Sequence, residues 1–178
     1  MSASIRVAVV GAGYFGRFHA RHFAAHPGAT LSHVVDADES RARSASNEFG
    51  GQPLYDHRAL IGQVDAASVV VPTSEHFRVA RDLIEAGIHV LIEKPITDSV
   101  ETARALTELA VARSVVLQVG HIERFSSTYS ALADMVTCPL YIESFRVSPW
   151  KNRAREVDVV LDLMIHDADI LLSLVDSP

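Results

Sequence analysis

Two rhythms of apolar residues alternate along the first two thirds of the chain. Short runs rich in Val and Ile recur at 5–10, 31–35, 66–71, 88–92 and 115–119. Between them lie longer stretches whose apolar residues return every three or four positions. The first rhythm predicts buried strands and the second amphipathic helices. The helix over 14–26 carries Phe15, Phe18, Phe23 and Ala24 among its apolar positions. A second helix spans 39–49 and is closed by Gly50-Gly51; a third spans 75–86 and is stopped by Gly87. A fourth is capped by Thr97 or Asp98 and runs to about Ala112. A short strand at 53–55 and a brief helix at 57–61 fit between the second helix and the strand at 66–71. Strand and helix in alternation imply an α/β fold, a mostly parallel sheet wound on both faces.

The pattern changes after Gly120. A helix over 123–136 leads away from the sheet, and 140–147 alternates as a strand through Leu140, Ile142, Phe145 and Val147. A loop at 149–156 holds three cations, Lys151, Arg153 and Arg155. The stretch 159–175 is apolar at helical spacing but includes Asp162, His166, Asp167 and Asp169. One strand and one helix do not make a domain. The expectation is therefore a nucleotide domain over 1–120, joined to the opening of an α+β domain over 121–178 that stops after Asp176-Ser177-Pro178.

Composition narrows the class. Apolar residues make up 48% and charged residues 21%, an ordinary balance for a globular protein. Net charge is −6 with no local basic patch, which speaks against a nucleic-acid partner. No run reaches the ~18 apolar residues of a membrane helix, so no membrane partner is expected. The first strand begins within four residues of Met1, leaving no room for a leader, and the expected location is the cytoplasm. Cys138 is the single cysteine, which fits a reducing compartment; its neighbour Pro139 and apolar context suggest a packed thiol.

The chemistry starts at the first strand–helix junction. Gly11, Gly13 and Gly16 follow the strand at once, and the next strand ends at Asp36, 20 residues beyond Gly16. This is the Rossmann dinucleotide fingerprint in its proper setting. Gly11 permits the tight turn, Gly13 lets the backbone approach a pyrophosphate, and Gly16 allows close packing of helix on strand. Free N–H groups at the helix start, around Tyr14 and Phe15, face the phosphates. Asp36 accepts the ribose hydroxyls and repels a 2′-phosphate, which favours NAD over NADP; no arginine follows it directly. The alternative is a glycine turn that binds nothing, with Asp36 as a helix N-cap.

Lys94 stands at the end of a parallel strand, in Glu93-Lys94-Pro95, on the edge where such sheets bind ligands. Taken alone it is a surface lysine. Asp162 and His166 are four apart, so one helix face carries both. They are either a helix-surface pair or a base with its orienting carboxylate. His19, His22 and His26 lie along one helix; a zinc site is conceivable there, but a solvated face is the expected reading, and no metal is called for. Asp167 and Asp169 are read as solvent-facing or backbone-bonded.

Gly11-x-Gly13-x-x-Gly16, Pro72-Thr73 with His76, Glu93-Lys94-Pro95 and Asp162-x-x-x-His166 together resemble the glucose–fructose oxidoreductase / inositol dehydrogenase / MocA family. The resemblance spans nearly the whole chain. It implies NAD as cofactor, with Pro72, Thr73, His76, Glu93 and Lys94 joining Gly11, Gly13, Tyr14, Phe15, Gly16 and Asp36 at the nucleotide. It also implies hydride transfer at a secondary alcohol or ketone of a sugar, with Lys94, Asp162 and His166 as the catalytic trio. His166 would be the general base, Lys94 would polarise the oxygen and relay the proton, and Asp162 would orient; which of Lys94 and His166 takes the proton stays open. Residues 119–125 and 158–167 are similar to a branch that oxidises nucleotide sugars such as UDP-N-acetylglucosamine at carbon 3. Ser126-Ser127 stands where that branch usually has Asn-Pro. His121 and Arg124, with Lys94 and His166, would border the substrate, unless His121 and Arg124 only anchor the interdomain helix. A homo-oligomer is the expected assembly. The competing expectation is a non-catalytic NAD(H)-binding module, or a truncated form acting through a partner.

Overall fold

The computed structural model describes residues 4–137, 139–148 and 158–175. Cys138, the cationic loop at 149–156 and the terminal Asp176-Ser177-Pro178 lie outside them. The chain divides into two compact units, one running to Val119 and the other beginning at Gly120.

The first unit follows the alternation of the sequence. Its elements are β1 (Ile5–Val10), α1 (Tyr14–Ala25), β2 (Ala29–Val35), α2 (Glu39–Phe49), β3 (Gln52–Leu54), a 3₁₀ turn (His57–Leu60), β4 (Ala66–Val69), α3 (Thr73–Glu85), β5 (His89–Glu93) and α4 (Val100–Arg113). The last strand, β6 (Leu117–Gly120), ends at the start of the second unit. The sheet order is β3-β2-β1-β4-β5-β6, and the pairings from β3 through β5 are parallel. The order reverses between β1 and β4, which opens a crevice at their carboxyl ends.

Side chains of a strand point alternately to the two faces. Ala8 and Val10 of β1 therefore pack with Val79, Ala80, Leu83 and Ile84 of α3 and Leu106 and Ala110 of α4. Val9, between them, packs with Ala20 of α1 and Ala45 of α2. Helices thus cover both faces, and the strands are apolar in succession because both of their sides are buried. Each fully buried Val, Leu or Ile contributes about 1.5–3 kcal/mol.

Several boundaries moved. β4 ends at Val69, not at residue 71, and α3 starts at Thr73. The cap of α4 is Ser99, whose Oγ accepts the Thr102 N–H at 3.2 Å; Thr97 instead donates its hydroxyl to the Ser99 carbonyl at 2.8 Å. His57, expected only as part of a short helix, is buried against the Asp82 carboxylate at 3.0 Å, and Arg58 and Arg81 pair with that same carboxylate.

In the second unit the expected single helix over 123–136 is two elements. A 3₁₀ turn (Ile122–Phe125) is followed by α5 (Ser127–Met135), and Ser126 separates them, its Oγ capping α5 through the Tyr129 N–H at 3.1 Å. The stretch at 159–175 opens with a wide π turn (Val160–Met164) and continues as α6 (Ile165–Leu174). Residues 140–147 are not a strand. Leu140, Phe145 and Val147 are 97, 83 and 94% exposed. Alternation marks a sequence able to join a sheet, but a strand exists only when a neighbour takes its backbone hydrogen bonds, and none of the described residues does so. No helix among the described residues is long and apolar enough to cross a membrane.

Candidate functional site

The glycine loop between β1 and α1 is shaped by contacts that admit no side chain. Gly11 has φ +101°, and a Cβ there would lie 2.4 Å from the Val70 carbonyl oxygen. A Cβ on Gly16 would lie 1.7 Å from the Gly11 oxygen, so this glycine lets α1 close onto the loop. Gly13 differs: a Cβ would meet nothing within 4 Å. Its bareness serves the open side of the loop. Gly13 is also the N-cap of α1 and offers no side-chain cap, so the first N–H groups of the helix stay available for an anion.

Asp36 closes the loop from the end of β2. Its Oδ2 accepts the Ala12 N–H at 2.8 Å and its Oδ1 accepts the Asp38 N–H at 2.9 Å. The N-cap of α2 is Asp38, whose Oδ1 accepts the Ser40 and Arg41 N–H groups, so Asp36 is not a helix cap. The Ser40 hydroxyl and the two N–H groups hold the Asp38 carboxyl below its ordinary range. An open cleft of about 490 Å³ lies beside Gly13, lined by Ala12, Gly13, Tyr14, Arg17, Ser40, Arg41 and Ser44. Arg17, Ser40, Arg41 and Ser44 had no sequence signal as site residues, because only the fold brings α2 beside the loop. Arg41 lies 3.5 Å from Asp38, and Arg17 pairs with Glu48 and sits 5.3 Å over the Phe49 ring. Tyr14, Phe15 and Phe18 form an exposed cluster of rings at the start of α1, Tyr14 meeting Phe15 and Phe18 edge-on at 5.5 and 5.2 Å between centroids.

At the carboxyl ends of β4 and β5 the structure gathers Pro72, Thr73, His76, Glu93 and Lys94. His76 is 1% exposed; its Nδ1 lies 2.9 Å from the Pro95 carbonyl oxygen and its Nε2 2.9 Å from that of Val71. Both ring nitrogens thus face backbone carbonyl oxygens. His76 braces the Val71 and Pro95 loops beside the site where a cofactor contact was expected of it. Thr73 is also buried, at 9%.

The histidine row of α1 does not behave as one face. His22 and His26 are exposed, but His19 turns inward. Its Nδ1 meets the Ser68 hydroxyl at 2.8 Å, and its Nε2 meets Glu93 Oε1 at 3.1 Å. Burial alone would raise the Glu93 carboxyl, but the hydrogen bond from His19, with the N–H and the charge of Lys94, holds it below its usual range. Among the described residues no group of three His, Cys, Asp or Glu side chains is placed to hold a metal ion.

Asp162, His166, His121 and Arg124 belong to the second unit. Asp162 sits in the π turn and His166 in the first turn of α6. A π turn brings residues five apart into line, so the four-residue spacing no longer fixes a shared face. Arg124 makes a two-pronged ion pair with Asp169, Nε to Oδ2 at 2.7 Å and Nη2 to Oδ1 at 2.8 Å. Asp167 takes Arg146 at 3.0 Å. Both aspartates thus tie this unit together, correcting their reading as solvent-facing, and Arg124 anchors the 3₁₀ turn to α6. His121 Nδ1 lies 4.0 Å from the Asp169 carboxylate.

Residues 5–121 match the model of the oxidoreductase family with an NAD-binding Rossmann fold. The chain belongs to that family. It is 42% identical over 171 residues to the UDP-N-acetylglucosamine 3-dehydrogenase of Acidithiobacillus ferrooxidans, an alignment covering 96% of this chain and 54% of that protein. It is 30% identical to the scyllo-inositol 2-dehydrogenase (NAD(+)) of Bacillus subtilis over 96% of this chain and 54% of that one. The solved structure of the Acidithiobacillus ferrooxidans enzyme superposes with a TM-score of 0.89 at 41% identity, covering 96% of this chain and 56% of the other. GenD2 from gentamicin A biosynthesis, solved in complex with NAD, superposes at 0.88 with 25% identity over all of this chain and 55% of its own. The chain spans about half the length of the curated relatives it matches. The open helix start, the braced glycine loop and the carboxylate at the end of β2 fit the NAD of this family.

Proposed function

We propose that this chain is the cofactor-binding part of an NAD-dependent oxidoreductase that moves a hydride to or from a secondary alcohol carbon of a sugar, most fittingly a UDP-linked N-acetylhexosamine. The observation that carries the reading is the Asp36 carboxylate clasped to the Ala12 N–H beside the uncapped start of α1 and the open cleft. Pyrophosphate belongs on the N–H groups of α1, and the adenosine ribose on Asp36. When bound, NAD supplies the hydride acceptor. Lys94, at the end of β5, polarises the reacting oxygen. His166 takes the hydroxyl proton, and Asp162 orients the imidazole or a substrate hydroxyl. His121 borders the sugar. Arg124 supports that border through its pair with Asp169. The unit from Gly120 onward is the start of the substrate domain. The protein works in the cytoplasm and as a homo-oligomer.

Support for the sugar comes from the similarity to the UDP-N-acetylglucosamine 3-dehydrogenase over nearly the whole of this chain. A thermal-shift screen tests both halves of the reading. NAD should raise the melting temperature, and a UDP-N-acetylhexosamine should raise it further only when NAD is present. Stabilisation by myo- or scyllo-inositol in place of the nucleotide sugar would redirect the substrate assignment. No response to NAD would overturn the reading altogether.

A further inference from the structure

The strand order sets a direction for the dinucleotide. Asp36 ends β2, the glycine loop follows β1, and next in the sheet come β4 and β5. A dinucleotide with its ribose on Asp36 and its pyrophosphate on α1 must carry its other end past the carboxyl ends of β4 and β5. There it meets Lys94, a cation, and the oxidised nicotinamide ring is itself positively charged. Two like charges at one edge repel, and in a partly buried crevice the repulsion is not fully screened. A carboxylate fixed at that edge lowers the repulsion and favours the charged ring over the neutral, reduced one.

Glu93, whose carboxyl feels the Lys94 charge, is a carboxylate beside that edge, and its side chain does not hang free. Ser68 and Glu93 lie on the face of the sheet that α1 covers, because their strand neighbours Ala67, Val69 and Ile92 pack on the other face. His19 reaches down from α1 and fills the gap between them. An ionised carboxylate only accepts, so the hydrogen on Nε2 points to Glu93 and, in the neutral ring, Nδ1 accepts the Ser68 hydroxyl. Ser68 is 0% exposed and the His19 and Glu93 side chains are 17% and 23% exposed. The chain of three spans α1, β4 and β5 and fixes the charge in place. Ser68 is sealed from any substrate, so this is not a nucleophile with its base.

Resting on the NAD site proposed above, we infer that the Ser68–His19–Glu93 chain is a fixed counter-charge that favours the oxidised dinucleotide over the reduced one. Glu93 supplies the charge; His19 and Ser68 are positioning residues. The chain thereby sets the starting state for alcohol oxidation, with the empty hydride acceptor and the Lys94 cation held side by side.

The test needs binding alone and uses the protein as it is. NADH emission on titration gives the affinity for the reduced form, and displacement of NADH by NAD⁺ gives that for the oxidised form. Glu93→Gln keeps the size of the side chain and removes its charge. It should lower the ratio of NAD⁺ to NADH affinity at least threefold. His19→Leu should shift the ratio the same way, and His19→Gln, which can still donate to Glu93, should restore most of it. If Glu93→Gln weakens both forms equally, or neither, the inference is overturned while the NAD site stands. Wild-type protein that binds neither form would overturn the site reading and the inference with it. Should His19→Leu fail to fold, Glu93→Gln decides alone.

Discussion

Replacing Asp36 by Ala removes the carboxylate proposed to hold the adenosine ribose. Two things are lost to NAD: charge-assisted hydrogen bonds to two hydroxyls, and the order that Asp36 gives the glycine loop through the Ala12 N–H. Hydrogen bonds to a charged group contribute about 1.5–3 kcal/mol, part of which water returns, so a net loss of about 2 kcal/mol is expected, or about 30-fold in affinity. NADP gains by the same change. The repulsion of its 2′-phosphate by Asp36 disappears, and Arg41, 3.5 Å from Asp38, lines the same cleft. Relief of one such partly screened like-charge contact is worth about 1–2 kcal/mol, or about tenfold. The preference for NAD should therefore fall by about two orders of magnitude. The fold should survive: two backbone N–H groups at a half-exposed position lose a partner, about 1 kcal/mol or a few degrees of melting temperature. Calorimetric titration of wild type and variant with each cofactor measures the change. Equal losses for NAD and NADP, with the ratio unmoved, would show that Asp36 only braces the loop. Wild-type protein that binds NADP as tightly as NAD would refute the argument at its start.

The two inner glycines should separate stability from binding. Gly16→Ala drives a Cβ into the Gly11 carbonyl and should destabilise by about 3 kcal/mol or more, whereas Gly13→Ala, with open space around it, should melt near wild type yet bind NAD weakly; thermal melts with a cofactor titration check both. Asp82 is held at about 2 despite burial, by Arg81, His57 and Arg58, below its ordinary 3.8. A depressed carboxyl stabilises above its unfolded value and loses that as pH falls toward the folded one, so the contribution should be whole at pH 5 and vanish between about pH 4 and 2. After solvent screening it amounts to about 1–2 kcal/mol, and Asp82→Asn should flatten the dependence of urea midpoints on pH in that window. In a full-length form, Lys94→Ala and His166→Ala should each lower turnover about 10²–10⁴-fold while sparing NAD affinity, and near wild-type turnover in either variant would remove that residue from the mechanism.

Much of the first unit was legible because its signals are local. A buried strand, a helix of period 3.6, and glycines at a strand end are all written within a dozen residues. They gave the order of elements, the parallel sheet and the glycine loop with Asp36, and Glu93-Lys94-Pro95 pointed to the edge of β5. The misreadings have one source. His19 looked like part of a solvated row because its partners, Ser68 and Glu93, are 49 and 74 residues away along the chain. Nothing in the spacing of His76 told that the Val71 and Pro95 carbonyls would face its two nitrogens. Asp167 and Asp169 looked idle until Arg146 and Arg124 met them. Residues 140–147 kept the alternation of a strand without a neighbour to make it one. Local rhythm and turn chemistry therefore determined where the backbone turns and which side of it is apolar. Which polar atom answers which was decided only by the tertiary structure, because a hydrogen bond or ion pair needs its partner within about 3 Å, and distance in space between remote segments is not written in their spacing.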